Sequence, residues 1–183
     1  MADLSKHPIE IITIGSTHPD DLVSQNFYIR DLTRSELASR LNIPNWFQTD
    51  FELRNAVRVC REVLQPVRDR FWPFTPNSVY RSQALERRLK NKSAKWRSTS
   101  QHTRGEAADI EISGLSNLEL ARWIHEHLTY DQLILEYYDP AQGVNSGWVH
   151  VSLISAASPC VAAVNRREVL SFDGKAYRVL TSI

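Results

Sequence analysis

Apolar residues recur at spacings of three and four through Leu53, Ala56, Val57, Cys60, Leu64 and Val67, which predicts a long amphipathic helix with one buried stripe. Thr49-Asp-Phe-Glu52 precedes it in the form of a capping box, where a hydroxyl and a carboxylate satisfy the first free amides reciprocally. Pro66 is expected to kink or shorten its last turn, because proline lacks the amide hydrogen and crowds the preceding turn. Similar boxes, Thr33-Arg-Ser-Glu36 and Ser116-Asn-Leu-Glu119, predict helices ending near Leu41 and Leu128. FWPFTP breaks the long helix; Ser78 to Arg81 then reads as a short strand feeding a helix from about Ser82 to Leu89.

Period-two alternation takes over later in the chain. EAADIEI, DQLILEY and WVHVSL read as strands, and Asp173-Gly174 between REVLSF and KAYRVL is a hairpin signal. Ile9 to Ile14 could form a further short strand. Helices first and paired strands later predict an α+β domain built on an antiparallel sheet. Residues 1–26 are weakly patterned and read as an amino-terminal extension, with 27–183 as a single domain.

Composition narrows the chemistry. The chain has 183 residues, enough for one real core, and no apolar run of the roughly 20 residues that span a bilayer, so no membrane insertion is expected. The start, MADLSKHPIEIITIGS, lacks the form of a secretory signal, which predicts synthesis in the cytoplasm without classical export. Twenty-two basic against 21 acidic side chains give a net charge of +1 and no global reason to expect a nucleic-acid partner. Cys60 and Cys160, one in a helical pattern and one in a loop, make neither a disulfide framework nor a thiolate knuckle, so any metal is held by nitrogen and oxygen.

Six histidines can be weighed singly. His7 and His18 lie in the weakly patterned start and read as surface residues. His125 and His127 stand two apart on a helix and point roughly 200° from each other, a poor ligand pair. His102 and His150 differ. In EAADIEI the alternation places Ala107, Asp109 and Glu111 on one face; in WVHVSL it places Trp148, His150 and Ser152 on one face against an apolar back. Polar groups projecting from strands whose other sides read as core need hydrogen bonds, water or a metal. Two imidazoles and a carboxylate with an open fourth position would suit catalytic zinc.

Ser100-Gln-His102-Thr-Arg-Gly105-Glu-Ala107-Ala-Asp109 resembles, position for position, the S-x-H-x-x-G-x-A-x-D signature of the zinc DD-peptidases. That group takes in lysostaphin-type enzymes, D-Ala-D-Ala carboxypeptidases, L-Ala-D-Glu peptidases and the Hedgehog signalling domain. Trp148-Val-His150 is similar to its W-x-H element and Ser78-Val-Tyr-Arg81-Ser82 to its S-x-Y-R-S segment. FYIRDLTRSELASRLNIPN, DQLILEYYDP and NRREVL resemble the phage-associated carboxypeptidase-like branch, so the likeness runs over roughly residues 27 to 180. It implies a Hedgehog/DD-peptidase-like fold, Zn2+ held by His102, Asp109 and His150, and peptidoglycan stem peptides as substrate. Arg81 would bind a substrate carboxylate or the developing oxyanion, a role suited to its planar fork; the alternative is an ordinary surface arginine.

Relatives often carry an acid three residues before the last histidine, where this chain has Gly147. Glu136 is then the expected general base, since antiparallel pairing of LILE with WVHVSL could set it beside His150; Asp139 is the second choice and Asp131 the third. Ser100 either anchors its loop or reaches substrate, Gly105 allows a tight turn, and Trp148 and Tyr137 either wall the cleft or belong to the core. The segment Arg87 to Arg97 carries six basic residues and no acid; it reads as a solvated loop or as a binder of anionic wall polymer. The expected context is a phage endolysin or virion-associated wall hydrolase, acting as a monomer or as part of a virion. The rival expectation is a non-catalytic zinc-containing binding or tail module on the same fold, favoured by the missing acid at Gly147.

Overall fold

The computed structural model describes residue 10 and residues 12–155, 164–181 and 183. His7, Cys160 and two residues of the expected first strand, Ile9 and Ile11, lie outside the described residues. Within that strand's span, Ile14–Ser16 forms a single 3-10 turn instead. It is tied to the domain by Ile14 N donating to Asp50, while Val23 is fully buried in the core.

Six α-helices are described: α1 (Ile29–Thr33), α2 (Glu36–Arg40), α3 (Asp50–Val59), α4 (Gln65–Arg70), α5 (Gln83–Leu89) and α6 (Asn117–His127). The box at Thr49 and Glu52 forms at the start of α3 as the pattern predicts. The box at Thr33 does not: Thr33 ends α1, and Ser35 caps α2 by accepting from Ala38 N. At α6 Ser116 takes the cap position without a side-chain bond. The predicted long helix runs on past Pro66 to Arg70, but through a π turn, Cys60–Leu64, where Gln65 N reaches back to Cys60 O. The wider turn accommodates a proline that can neither donate nor tolerate a close carbonyl four residues back.

Five strands, β1 (Ala107–Ile110), β2 (Gln132–Glu136), β3 (Trp148–Ser152), β4 (Glu168–Phe172) and β5 (Tyr177–Val179), form one sheet in the order β1-β3-β2-β4-β5. The α+β expectation is met. Neighbours are antiparallel except β2 and β4, which run parallel, so the sheet is mixed. The expected strand at Ser78 to Arg81 reduces to a bridge between Ser78 and Asp109, which covers the outer edge of β1. Asp173 and Gly174 sit in the β4–β5 hairpin, whose four-residue loop is held by the Asp173 carboxylate accepting from Lys175 N and Ala176 N.

The register divides the sheet into two faces. Ala108, Ile110, Leu133, Leu135, Val149 and Val151 point one way into the core, against α3 and α6. Asp109, Ile134, Glu136, Trp148 and His150 alternate with them and point the other way. Among the described residues, no helix is long and apolar enough to cross a membrane.

Candidate metal centre

On that second face Asp109 of β1 and His150 of β3 stand directly opposite each other in the antiparallel register. His102 arrives from a 3-10 turn, Gln101–Arg104, which ends on Gly105 at φ +71°. Gly105 does more than turn the chain: a Cβ there would lie 2.2 Å from Glu52 O and 2.9 Å from Ala56 N of α3. Glycine therefore lets the turn press onto α3, where Asn55 also donates to Arg104 O.

The three donor groups are buried, with His102 1%, Asp109 6% and His150 7% exposed. His102 Nε2 lies 3.1 Å from Asp109 Oδ1 and 3.2 Å from His150 Nδ1, and His150 Nδ1 lies 2.9 Å from Asp109 Oδ1. The other ring nitrogen of His102, Nδ1, is 2.7 Å from Val79 O. A carbonyl only accepts, so Nδ1 carries the proton and Nε2 presents a lone pair to the cluster. Burial lowers the His102 pKa, which keeps the ring neutral. Burial raises the Asp109 carboxyl, and only positive charge at the His102 and His150 rings, or on an ion they share with it, brings it below the usual range.

A neutral imidazole lone pair 3.1 Å from a carboxylate oxygen is repulsive unless a cation joins them. The donor set therefore fits a metal: two nitrogens and one oxygen, all within 4.8 Å of one another, is the set expected of catalytic zinc. The Val79 carbonyl supplies the outer hydrogen bond that fixes a liganding imidazole's tautomer.

His102 and His150 open onto a cleft of about 1000 Å³. Arg81, Ser100, Glu136 and Trp148, all singled out in the sequence, line it together with His102 and His150. Arg81 Nη1 is 3.8 Å from Asp109 Oδ2, and its Nε is 2.9 Å from Glu86 Oε1. Glu136 stands two residues beyond Ile134, which pairs with His150, and burial raises its carboxyl pKa. Asp131 also lines the cleft but is fully buried and engaged by Arg166 and Gln101. Asp139 is not in the lining; its carboxylate accepts from Ala141 N and Gln142 in the β2–β3 loop. His125 and His127 turn to separate partners, Tyr130 and the Trp123 carbonyl.

The family model described as Peptidase M15 matches residues 30–152, two-thirds of the chain. The chain belongs to the M15 peptidases. No curated protein matches it. M15 peptidases are zinc-dependent, and the match spans all three donors of this peptidase's metal group. Two residues of the site were missed by sequence reasoning. Glu86, 1% exposed, backs Arg81, although Ser82-Gln-Ala-Leu-Glu86 reads as an ordinary helix start. Asn117, fully buried, donates to Ser146 O and Gly147 O and so fixes the entry into β3; its place in a capping box disguised that role.

Proposed function

We propose that this M15 peptidase hydrolyses peptidoglycan stem peptides, at a D-Ala-D-Ala terminus or at an internal bond such as L-Ala-D-Glu, and serves a phage as endolysin or virion-associated wall hydrolase. The observation that carries the reading is the buried His102, Asp109 and His150 group in a cleft that also holds a guanidinium and a half-buried carboxylate. The phage context rests on the likeness of residues 27 to 180 to the phage-associated branch.

Zinc, when bound, supplies the Lewis acidity that polarises a carbonyl and acidifies water. Glu136 accepts the proton of the attacking water and returns it to the leaving amine, a cycle its raised pKa suits. Arg81 turns its fork to a substrate carboxylate or to the oxyanion, held from behind by Glu86. Ser100 and Trp148 contact the substrate from the cleft walls.

The test is lysis of purified peptidoglycan by the zinc-loaded protein, with a chelator control and mass spectrometry of the released fragments. Chelator-sensitive release of stem peptides supports the reading and identifies the bond. Intact peptidoglycan after prolonged incubation, with zinc present at one ion per chain, overturns it.

A further inference from the structure

The run of six basic residues from Arg87 to Arg97 does not form one uniform patch: Lys90 and Lys92 line the cleft, together with Trp96. Their placement is built into the fold at both ends. Lys90 caps α5, Asn91 follows at φ +49°, and Asn91 N and Lys92 N donate to Arg88 O and Arg87 O. This crossed pair of bonds around a left-handed residue is a Schellman motif, which fixes where both lysines leave the helix. At the other end Gln83 clamps Ser98 twice, donating to Ser98 O and accepting from Ser98 N, while the Ser98 hydroxyl donates to Glu86. The segment is a pinned wall of the cleft.

Five lysine and arginine side chains line that cleft. Arg81 meets Glu86 and Asp109, Arg104 meets Glu106, and Arg166 meets Asp131 and Glu168. Among the described residues Lys90 and Lys92 alone of the five have no ion pair. A lysine at a helix C-terminus is favourable to the helix dipole, which accounts for Lys90 but not for Lys92 beyond the helix end. The charge of Lys90 also reaches Glu136 across the cleft. In a chain of net charge +1, this leaves an uncompensated positive wall facing the reaction centre.

We propose that Lys90 and Lys92, with Trp96 beside them, form a subsite for a carboxylate-bearing residue of the substrate, distinct from the group held by Arg81. The inference rests on the peptidase reading and narrows it: the preferred substrate is an acidic peptide carrying a free carboxylate next to the residue that is cleaved.

The test uses two synthetic stem-type peptides that differ only in a carboxylate or carboxamide on the acidic residue flanking the scissile bond. The wild-type enzyme should prefer the carboxylate peptide by about three- to tenfold, mostly in KM and less at high salt, the range expected of one or two exposed ion pairs. The variant Lys90→Gln/Lys92→Gln should lose that preference, its kcat/KM for the two peptides becoming equal. Cleavage of both peptides equally by the wild type overturns the subsite and leaves the peptidase reading intact. An undiminished preference in the double variant does the same, also where its salt-sensitive sedimentation with cell walls is lost; the lysines then serve anionic polymer. Absence of any cleavage counts against the peptidase reading; calorimetry of both peptides on the zinc-loaded wild type then decides the subsite by the same preference.

Discussion

A Cβ on Gly147 would lie 1.9 Å from the carbonyl oxygen of Glu136, so these two residues make a backbone contact that only glycine permits. Gly147 is at φ +68°, a conformation side chains rarely adopt, and its carbonyl is held by the buried Asn117 amide. The position where relatives often carry an acid is thus closed to any side chain here. Glu136, whose carbonyl occupies that space, sends its carboxylate into the cleft from the neighbouring strand. Gly147→Ala should cost about 3 kcal/mol or more, and Gly147→Glu should damage the fold rather than restore an acid. For a domain of this size that is a fall in Tm of about 6 to 12 °C, measurable by calorimetry. A Gly147→Glu protein of wild-type stability would contradict the contact.

Asp109→Ala removes one of three donors and leaves a lone pair of His102 facing an enlarged cavity. Zinc should fall well below one ion per chain on elemental analysis, and hydrolysis should disappear with it. Unchanged zinc content would remove Asp109 from the metal group. Chelation of the wild type should abolish hydrolysis as well, and zinc should restore it.

The parts legible in the sequence are those set by local periodicity. The stripe from Leu53 to Val67, the strands around Asp109 and His150, and the hairpin at Asp173-Gly174 all follow from spacing. Asp109 and His150 were legible because polar residues on strands with apolar backs demand an explanation, and His102, on a turn with no periodic signal, through the resemblance of Ser100 to Asp109 to a known signature. The parallel pairing of β2 with β4 was not, since the register between strands far apart in sequence depends on tertiary packing and not on either strand's pattern. The π turn at Cys60–Leu64 hides for a similar reason: the apolar spacing before Pro66 fits an α-helix, and only the helix continuing through the proline forces the wider turn. Glu86 and Lys92 carry no periodic signal; their positions follow from how α5 and the segment after it fold onto the cleft.

Glu136→Gln should keep fold and zinc while losing about 10²- to 10⁴-fold in kcat, the usual loss for a general base. The wild-type pH profile gives a second check. A base must be ionised to act, and burial raises the Glu136 pKa from 4.5, so kcat/KM should fall as pH drops through a value above 4.5. Zinc content measured across the same range separates this limb from protonation of the histidines. A limb that coincides with zinc loss, or wild-type turnover in Glu136→Gln, would take Glu136 out of the mechanism.

In the proposed mechanism Glu86 is a positioning residue acting through Arg81. Its carboxylate is buried, with Oε2 accepting from Ser98 and Oε1 2.9 Å from Arg81 Nε, so the guanidinium is its counter-charge. That contact engages Nε and leaves Nη1 3.8 Å from Asp109 Oδ2. Glu86→Gln retains the shape and the contact with Ser98 but releases the charge, so kcat/KM should fall about tenfold or more with zinc content unchanged, as expected when a buried charge pair loses one member. If Arg81 grips a ground-state carboxylate the loss falls on KM; if it meets the oxyanion the loss falls on kcat. The double variant Arg81→Ala/Glu86→Gln should be no less active than Arg81→Ala alone, because an effect transmitted through Arg81 cannot outlast it. Additive losses in that cycle would show that Glu86 acts on the fold or the metal group by another route.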